Sequence, residues 1–183
     1  MNQAAIVEAA ASGDHRAFGL LAEQSADRLY ATATLILRDR ALAQDAVQEA
    51  LIRAWRDLPS LKDQSRWNAW VRRLTVNACI DEARRRRRRP TITLLPEHDR
   101  PVPDGATQLA DHDRLERAFA QVSPEHRAAL VLHHHLGLPL PEIADALGIP
   151  LGTAKSRLHH ARRAMRAALE TDDRLARTTG GAA

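Results

Sequence analysis

The chain has 183 residues with 27 basic and 23 acidic side chains, and 44% of its residues are hydrophobic. This composition excludes collagen-like, mucin-like and wholly disordered proteins. No run of about 18 apolar residues exists that could span a membrane. The single cysteine, Cys79, cannot form an internal disulfide. Because the N-terminus also lacks the pattern of a secretory signal, we expect a cytoplasmic protein.

Alanine, leucine and arginine dominate the chain, while alternating β-branched patterns are missing, so the sequence predicts an all-α fold. Prolines and a glycine interrupt every helical period in the acidic segment 90–108, which predicts a flexible linker. The chain would then form two small helical domains, at 12–89 and 109–172, followed by a disordered tail at 173–183. We expect helices at 17–37, 41–58 and 67–88 in the first domain.

Positive charge is concentrated in two places. Arg84 to Arg89 add six positive charges, and residues 150–183 carry a net charge of +4. Clustered arginine in helical segments is typical of proteins that bind a polyanion such as nucleic acid. Charge runs are also common on ordinary solvated surfaces, so this pattern alone leaves both interpretations open.

Residues 139–166 carry the most specific pattern, that of a helix-turn-helix. Ala144 permits close approach of two helices, and Gly148 can adopt the positive φ that the turn requires. One apolar stripe of the second helix comprises Ala154, Leu158, Ala161 and Met165. The other face is basic and polar, as expected for a helix that lies in a DNA major groove. The alternative is a helical hairpin with a solvated basic face.

Two helices of the first domain carry weaker signals. On the helix 41–58, the predicted core face comprises Val47, Leu51, Trp55 and Leu58, and Ile52 lies on the polar side. An apolar residue ringed by polar groups suits a docking surface, although a solvated face fits the periodicity equally well. On the helix 67–88, the predicted core face comprises Trp67, Trp70, Val71, Leu74 and Ala78. Asn77 has poor helix propensity, which suggests a hydrogen-bonding role.

The order and spacing of these elements resemble a bacterial RNA polymerase sigma factor of the extracytoplasmic-function (ECF) type. In that family, two helical domains called regions 2 and 4 are joined by a linker. Residues 45–55 resemble region 2.2, residues 67–88 resemble regions 2.3 and 2.4, and residues 115–169 resemble region 4. The resemblance covers about residues 12–170.

The resemblance implies a sigma factor that binds core RNA polymerase and directs initiation at specific promoters, with an anti-sigma protein as a common regulator. The polymerase partners would be the β′ clamp helices and the β flap. The implied core-binding residues are Asp45, Gln48, Glu49, Ile52 and Arg56. Those for the −10 element are Lys62, Asp63, Arg73, Asn77, Arg84, Arg85 and Arg88. Those for the −35 element are Thr153, Lys155, Ser156, His159, His160 and Arg163.

The chain departs from the family pattern at two helix caps. Pro139 and Pro150 stand where serine or threonine is usual, and each loses a side-chain cap worth about 1 kcal/mol. The −10 and −35 preferences remain open, because the loop 61–65 and the pair His159 and His160 are individual to this chain.

Nothing in the sequence predicts an enzyme, a metal site or a cofactor. The run His133 to His135 points its side chains about 100° apart on a helix, which prevents them from sharing one ion. Cys79 has no neighbouring histidine in the sequence. Two other interpretations remain: a one-component helix-turn-helix regulator, and a decoy that mimics a sigma factor to bind anti-sigma protein.

Overall fold

The computed structural model describes the backbone of residues 2–88 and 106–180 and the side chains of 2–88 and 113–171. Helices α1 to α4 are Gln3–Ala11, His15–Leu37, Arg40–Asp57 and Trp67–Arg88, with 3₁₀ turns at Leu58–Ser60 and Gln64–Arg66. Helices α5 to α8 are Ala106–Gln121, Pro124–Leu130, Leu140–Leu147 and Leu151–Gly180. A π-helical turn, Val131–His135, continues α6. The described residues contain no strand, which confirms the all-α prediction.

Helix α1 was not predicted from the sequence. Its N-cap, Asn2, accepts a hydrogen bond from the Ala4 amide, and its buried residues Ile6 and Val7 pack against α2. Gln3 also hydrogen-bonds Asn68 at the start of α4. The first helical unit therefore begins nine residues earlier than the predicted boundary at residue 12.

The core of the first unit forms where α2, α3 and α4 pack together. Trp67 is fully buried, and its indole N–H donates to Ser25 Oγ at 3.2 Å. Val71 and Ala78 are also buried, whereas Trp70 and Leu74 are half-buried. The prediction that both tryptophans belong to the core is therefore confirmed at Trp67, and Trp70 is only partly buried.

The predicted core face of α3 is partly wrong. The buried residues of this helix are mostly small, namely Ala43, Ala46, Val47, Ala50 and Ala54. Leu51 and Trp55 are only half-buried. Because alanine has a short side chain, α3 approaches its neighbours closely along this stripe and leaves the larger side chains at its margin.

The two helical units pack against each other. Helix α4 contacts α6 and α7, and α2 contacts α6. The buried residues of both units form one continuous hydrophobic cluster. Residues 90–105 of the predicted linker lie outside the described part of the chain. Its last three residues, 106–108, belong to α5. Helix α8 is helical to Gly180, so the prediction of an irregular tail from residue 173 fails over 173–180; residues 181–183 lie outside the described part.

Candidate polymerase and nucleic-acid interfaces

The helix-turn-helix forms as the sequence predicts. Gly148 ends α7 in the left-handed conformation, at φ 63° and ψ 37°, which glycine adopts without a Cβ penalty. Ala144 is buried within α7, and Ala154, Leu158 and Ala161 are buried on the inner face of α8. Pro139 caps α7 without a side-chain hydrogen bond, as its chemistry requires.

The outer face of α8 is open to solvent. Ser156 Oγ donates to the Thr153 carbonyl at 3.0 Å, and the rings of His159 and His160 lie edge to face with centroids 5.7 Å apart. All six residues predicted to contact the −35 element are exposed: Thr153, Lys155, Ser156, His159, His160 and Arg163. This face combines cationic groups with hydrogen-bonding side chains that can reach base edges.

An apolar groove opens between α2 and α3. Its volume is about 770 Å³, and Ile52 on its rim is 55% exposed. Phe18 and Trp55 form its aromatic floor, with ring centroids 5.0 Å apart. The remaining lining comes from Ala22, Ala26, Asp27, Tyr30, Gln44, Val47, Gln48 and Leu51. An open apolar groove of this size is the kind of surface that receives a helix from a partner protein.

The groove overlaps part of the predicted core-binding surface and extends onto α2. Of the five predicted core-binding residues, Gln48 and Ile52 line the groove, and Asp45, Glu49 and Arg56 do not. Glu49 instead accepts a hydrogen bond from Arg53 at 2.8 Å. A hydrogen bond to Asp57 raises the pKa of Arg56. Tyr30 of α2 also lines the groove. Periodicity along α3 could not indicate this residue, because the groove forms between two helices.

The segment before α4 is polar and exposed. Lys62 and Asp63 are both exposed, and Asp63 caps the turn Gln64–Arg66 through hydrogen bonds from the Ser65 amide and hydroxyl at 3.0 and 2.6 Å. These hydrogen bonds lower the pKa of Asp63. Its carboxylate therefore organises the loop as well as lying on its surface.

Arg73 and Asn77 lie on α4, with Arg73 exposed and Asn77 half-buried. Ile80, one turn beyond Asn77, is buried, at 6% exposure. The surface of α4 that carries Arg73 and Asn77 thus turns from solvent toward the interior. Helix α7 packs against α4, and the Arg73 guanidinium lies beside Gly148 of the turn.

Three members of the arginine run are paired with carboxylates. Arg84 pairs with Glu125 at 3.4 Å, Arg85 with Glu82 at 2.9 Å, and Arg86 with Asp39 at 2.9 Å. Asp39 also caps α3 by accepting from the Leu42 amide. Arg88 is exposed. Arg84 and Arg85, which the resemblance assigns to the −10 element, are therefore engaged within the protein in this arrangement, and Arg84 is engaged with the second helical unit.

Further ion pairs join the two units. Arg38 pairs with Glu116 at 2.9 Å, Arg66 with Asp145 at 3.6 Å, and Arg72 with Glu142 at 3.7 Å. Burial lowers the pKa of Arg72, and its Nε has no hydrogen-bond partner within the described ranges. Such exposed or half-exposed pairs contribute about 0 to 1 kcal/mol each.

In the described part of the chain, neither Cys79 nor the histidines belong to a group that could hold a metal ion. Cys79 is buried, and burial raises its pKa to about 12, so its thiol is protonated at neutral pH. No group of three or more potential metal ligands occurs within the described side chains. No helix in the described part of the chain is long and apolar enough to span a bilayer.

Comparison with known proteins assigns both helical units. Residues 21–89 match the family model for sigma-70 region 2, and residues 112–165 match the model for sigma-70 region 4. These two models together span well over half of the chain. They define a two-region initiation factor of the sigma-70 family.

Curated relatives identify the group within this family. The chain is 35% identical over 168 residues to the ECF RNA polymerase sigma factor SigL of Mycobacterium tuberculosis, covering 90% of this chain and 95% of that one. SigM of the same organism is 34% identical over 161 residues, at 88% and 81% coverage. The RNA polymerase sigma-H factor of Pseudomonas aeruginosa is 30% identical over 178 residues, at 90% and 92% coverage. The chain belongs to the ECF sigma factors.

Two solved structures share the fold. CnrH, determined in complex with the cytosolic domain of CnrY, is 24% identical with a TM-score of 0.64, covering 93% of this chain and 98% of that one. The sigma factor RpoE of Bartonella quintana, in complex with the anti-sigma factor NepR, is 23% identical with a TM-score of 0.61, at 85% and 98% coverage.

Proposed function

We propose that this sigma factor binds core RNA polymerase through the α2–α3 groove and positions α4 and α8 on the −10 and −35 promoter elements. The carrying observation is that the groove and the polar face of α8 are both open, while the two helical units pack along other surfaces. Both features offer the chemistry that their partners need. The groove offers apolar area to a helix of the polymerase, and α8 offers cations and hydrogen-bond donors to DNA.

Promoter binding requires the two units to separate. The −35 and −10 elements lie roughly 25 base pairs apart by their names, or about 85 Å at 3.4 Å per base pair. A compact chain of 183 residues spans only about 40 Å. The arrangement in which α4 packs on α7 therefore cannot place α4 and α8 on both elements at once. Polymerase would hold the units apart, which makes two weak DNA contacts act together.

Within this proposal, residues at three places have separate roles. Gln48 and Ile52 bind the β′ clamp helices, and region 4 meets the β flap. Lys62, Asp63, Arg73 and Asn77 contact the opened −10 strand, and Arg84, Arg85 and Arg88 contact nearby phosphates. On α8, Lys155 and Arg163 would bind phosphates, while Ser156, His159 and His160 reach base edges. The protein would catalyse no reaction of its own and would act with polymerase in the cytoplasm.

We also propose that an anti-sigma protein regulates this chain. Both structural neighbours were solved with a bound partner, in one case named as an anti-sigma factor. The same open groove and exposed α8 face would be available to such a partner.

The test combines the purified chain with core polymerase and fragmented genomic DNA, followed by sequencing of transcript starts. We expect discrete starts that share two upstream elements and that vanish when the chain is omitted. Folded protein that forms no complex with core polymerase and gives no starts would overturn the proposal. Tight binding to an operator without polymerase would instead favour a one-component regulator, and binding to an anti-sigma protein without initiation would favour a decoy.

A further inference from the structure

A cleft lies between the two helical units, beside the C-terminal end of α4. Its volume is about 420 Å³, within the range of small-molecule sites. Leu37, Leu42 and Ala83 form the wall from the first unit, and Val122 and Pro124 form the wall from the second. The polar lining is cationic, and it comprises Arg86, Arg87 and Arg127 together with Gln121 and Ser123.

Arg127 is the unusual member of this lining. It is only 9% exposed, and its Nε has no hydrogen-bond partner among the described residues. A buried cation without a hydrogen-bonded counter-ion is costly, because it has lost its hydration. Burial and the neighbouring Arg38 and Arg87 lower the pKa of Arg127 to about 10.

The carboxylates near Arg127 are already occupied. Glu116 pairs with Arg38 at 2.9 Å, and Glu125 pairs with Arg84 at 3.4 Å. Asp39, the third carboxylate in this region, pairs with Arg86 at 2.9 Å. Within the described residues, the positive charges of Arg87 and Arg127 are therefore in excess over the carboxylates at the cleft.

We propose that this cleft binds a small organic phosphate, with its phosphoryl oxygens on Arg127 and Arg87 and its apolar part against the aliphatic walls. Guanidinium groups bind phosphoryl oxygens with paired, charge-assisted hydrogen bonds. The apolar walls distinguish this cleft from a site for a bare inorganic ion. Because both units contribute to the lining, the bound molecule links them and favours the compact arrangement.

The experiment measures binding of two probes, inorganic pyrophosphate and ADP, to the full chain by calorimetry at physiological ionic strength. We expect binding of at least one probe together with a rise in the thermal midpoint of unfolding. Arg127→Met should weaken that binding at least about tenfold, since it removes the buried charge and keeps a long apolar side chain. If ADP binds more tightly than pyrophosphate, the result supports a preference of the cleft for an organic phosphate. If pyrophosphate binds more tightly, that preference is overturned.

Arg16→Met provides the matched control. It makes the same change in net charge at an exposed position in the first turn of α2. Leu37, which lines the cleft, is the last residue of that helix, about 30 Å away along its axis. Binding that falls equally in Arg16→Met and Arg127→Met would overturn the proposal, as would wild-type protein that binds neither probe. If Arg127→Met does not fold, Arg87→Met at the exposed side of the cleft must weaken binding by itself for the proposal to stand.

Discussion

The guanidinium of Arg73 lies 3.5 Å from the position that a Cβ on Gly148 would occupy. Arg73 is a residue proposed for the −10 strand, and Gly148 forms the turn of the helix-turn-helix proposed for the −35 element. The two units therefore touch through the surfaces proposed for the −10 and −35 elements. The part of the α4 surface that packs on α7 can therefore reach DNA only when the two units separate.

Charge reversal at the interface is expected to open the compact arrangement. Glu142→Arg replaces the partner of Arg72 with a like charge, while Glu23→Arg makes the same change at an exposed position on α2. With labels on Glu8→Cys and Glu170→Cys, Glu142→Arg should lengthen the mean distance between α1 and α8. The pair contributes about 1 kcal/mol at most, which corresponds to about a fivefold population shift.

Energy transfer between the two labels measures this distance. The native Cys79 does not interfere with labelling, because burial raises its pKa to about 12. An equal lengthening by Glu23→Arg would contradict a specific role for the Arg72–Glu142 pair.

Polymerase binding is expected to depend on Ile52. Ile52→Asp puts a charge on the rim of the apolar groove and should weaken binding of core polymerase by about tenfold or more, because a carboxylate resists desolvation. Leu20→Asp is the matched control, since Leu20 is 42% exposed on α2 but does not line the groove. Affinity measurement with labelled core polymerase checks this. Equal losses in the two variants would place the docking surface elsewhere.

Promoter opening is expected to depend on Arg73 and Asn77. The double variant Arg73→Ala with Asn77→Ala should give markedly less open complex, because it removes a cation and an amide from the strand-binding face. Binding to core polymerase should stay near normal, since neither residue lines the α2–α3 groove. Permanganate footprinting of unpaired thymines reports the opening. A parallel loss of core binding would show that this division of the surfaces is wrong.

Two glycines offer the same substitution with opposite expected signs. Gly148→Ala forces a Cβ into the left-handed region and should lower the free energy of unfolding by about 1 kcal/mol. Gly152 lies in helix α8, and a Cβ added there would meet no atom within 4 Å. Gly152→Ala should therefore raise the free energy of unfolding by about 0.5 to 1 kcal/mol. Urea denaturation of both variants measures the difference. Destabilisation of similar size in both would exclude backbone conformation as the cause.

Stability is expected to fall as the pH drops from about 7.5 to 5.5. Burial lowers the pKa of His126, with further lowering by Arg157 and His160 and a smaller opposing effect from Glu125. The folded state therefore binds fewer protons than the unfolded state below the usual histidine pKa of about 6.5, so acidification favours unfolding. Burial also lowers the pKa of His134, which adds to the same trend.

His126→Gln should reduce the slope of the unfolding free energy against pH in this window. Urea midpoints at a series of pH values measure that slope. An unchanged slope in His126→Gln would contradict the assignment.

Local patterns in the sequence were enough to predict helices α2, α3 and α4, the helix-turn-helix and the exposed face of α8, although not helix α1. Gly148 and the stripe Ala154, Leu158 and Ala161 are determined by helical periodicity and by backbone conformation, both of which act within a few residues. The family resemblance added the order of the two units, and the matches to regions 2 and 4 confirm it.

The tertiary structure decided everything that depends on two helices at once. The α2–α3 groove takes Tyr30 and Phe18 from a helix far from Ile52 in sequence, and the small residues of α3 determine which large side chains line it. The environment of Arg127 likewise depends on α2 and α4. Burial and ion pairing depend on distances between separate segments, which helical periodicity within one segment does not contain.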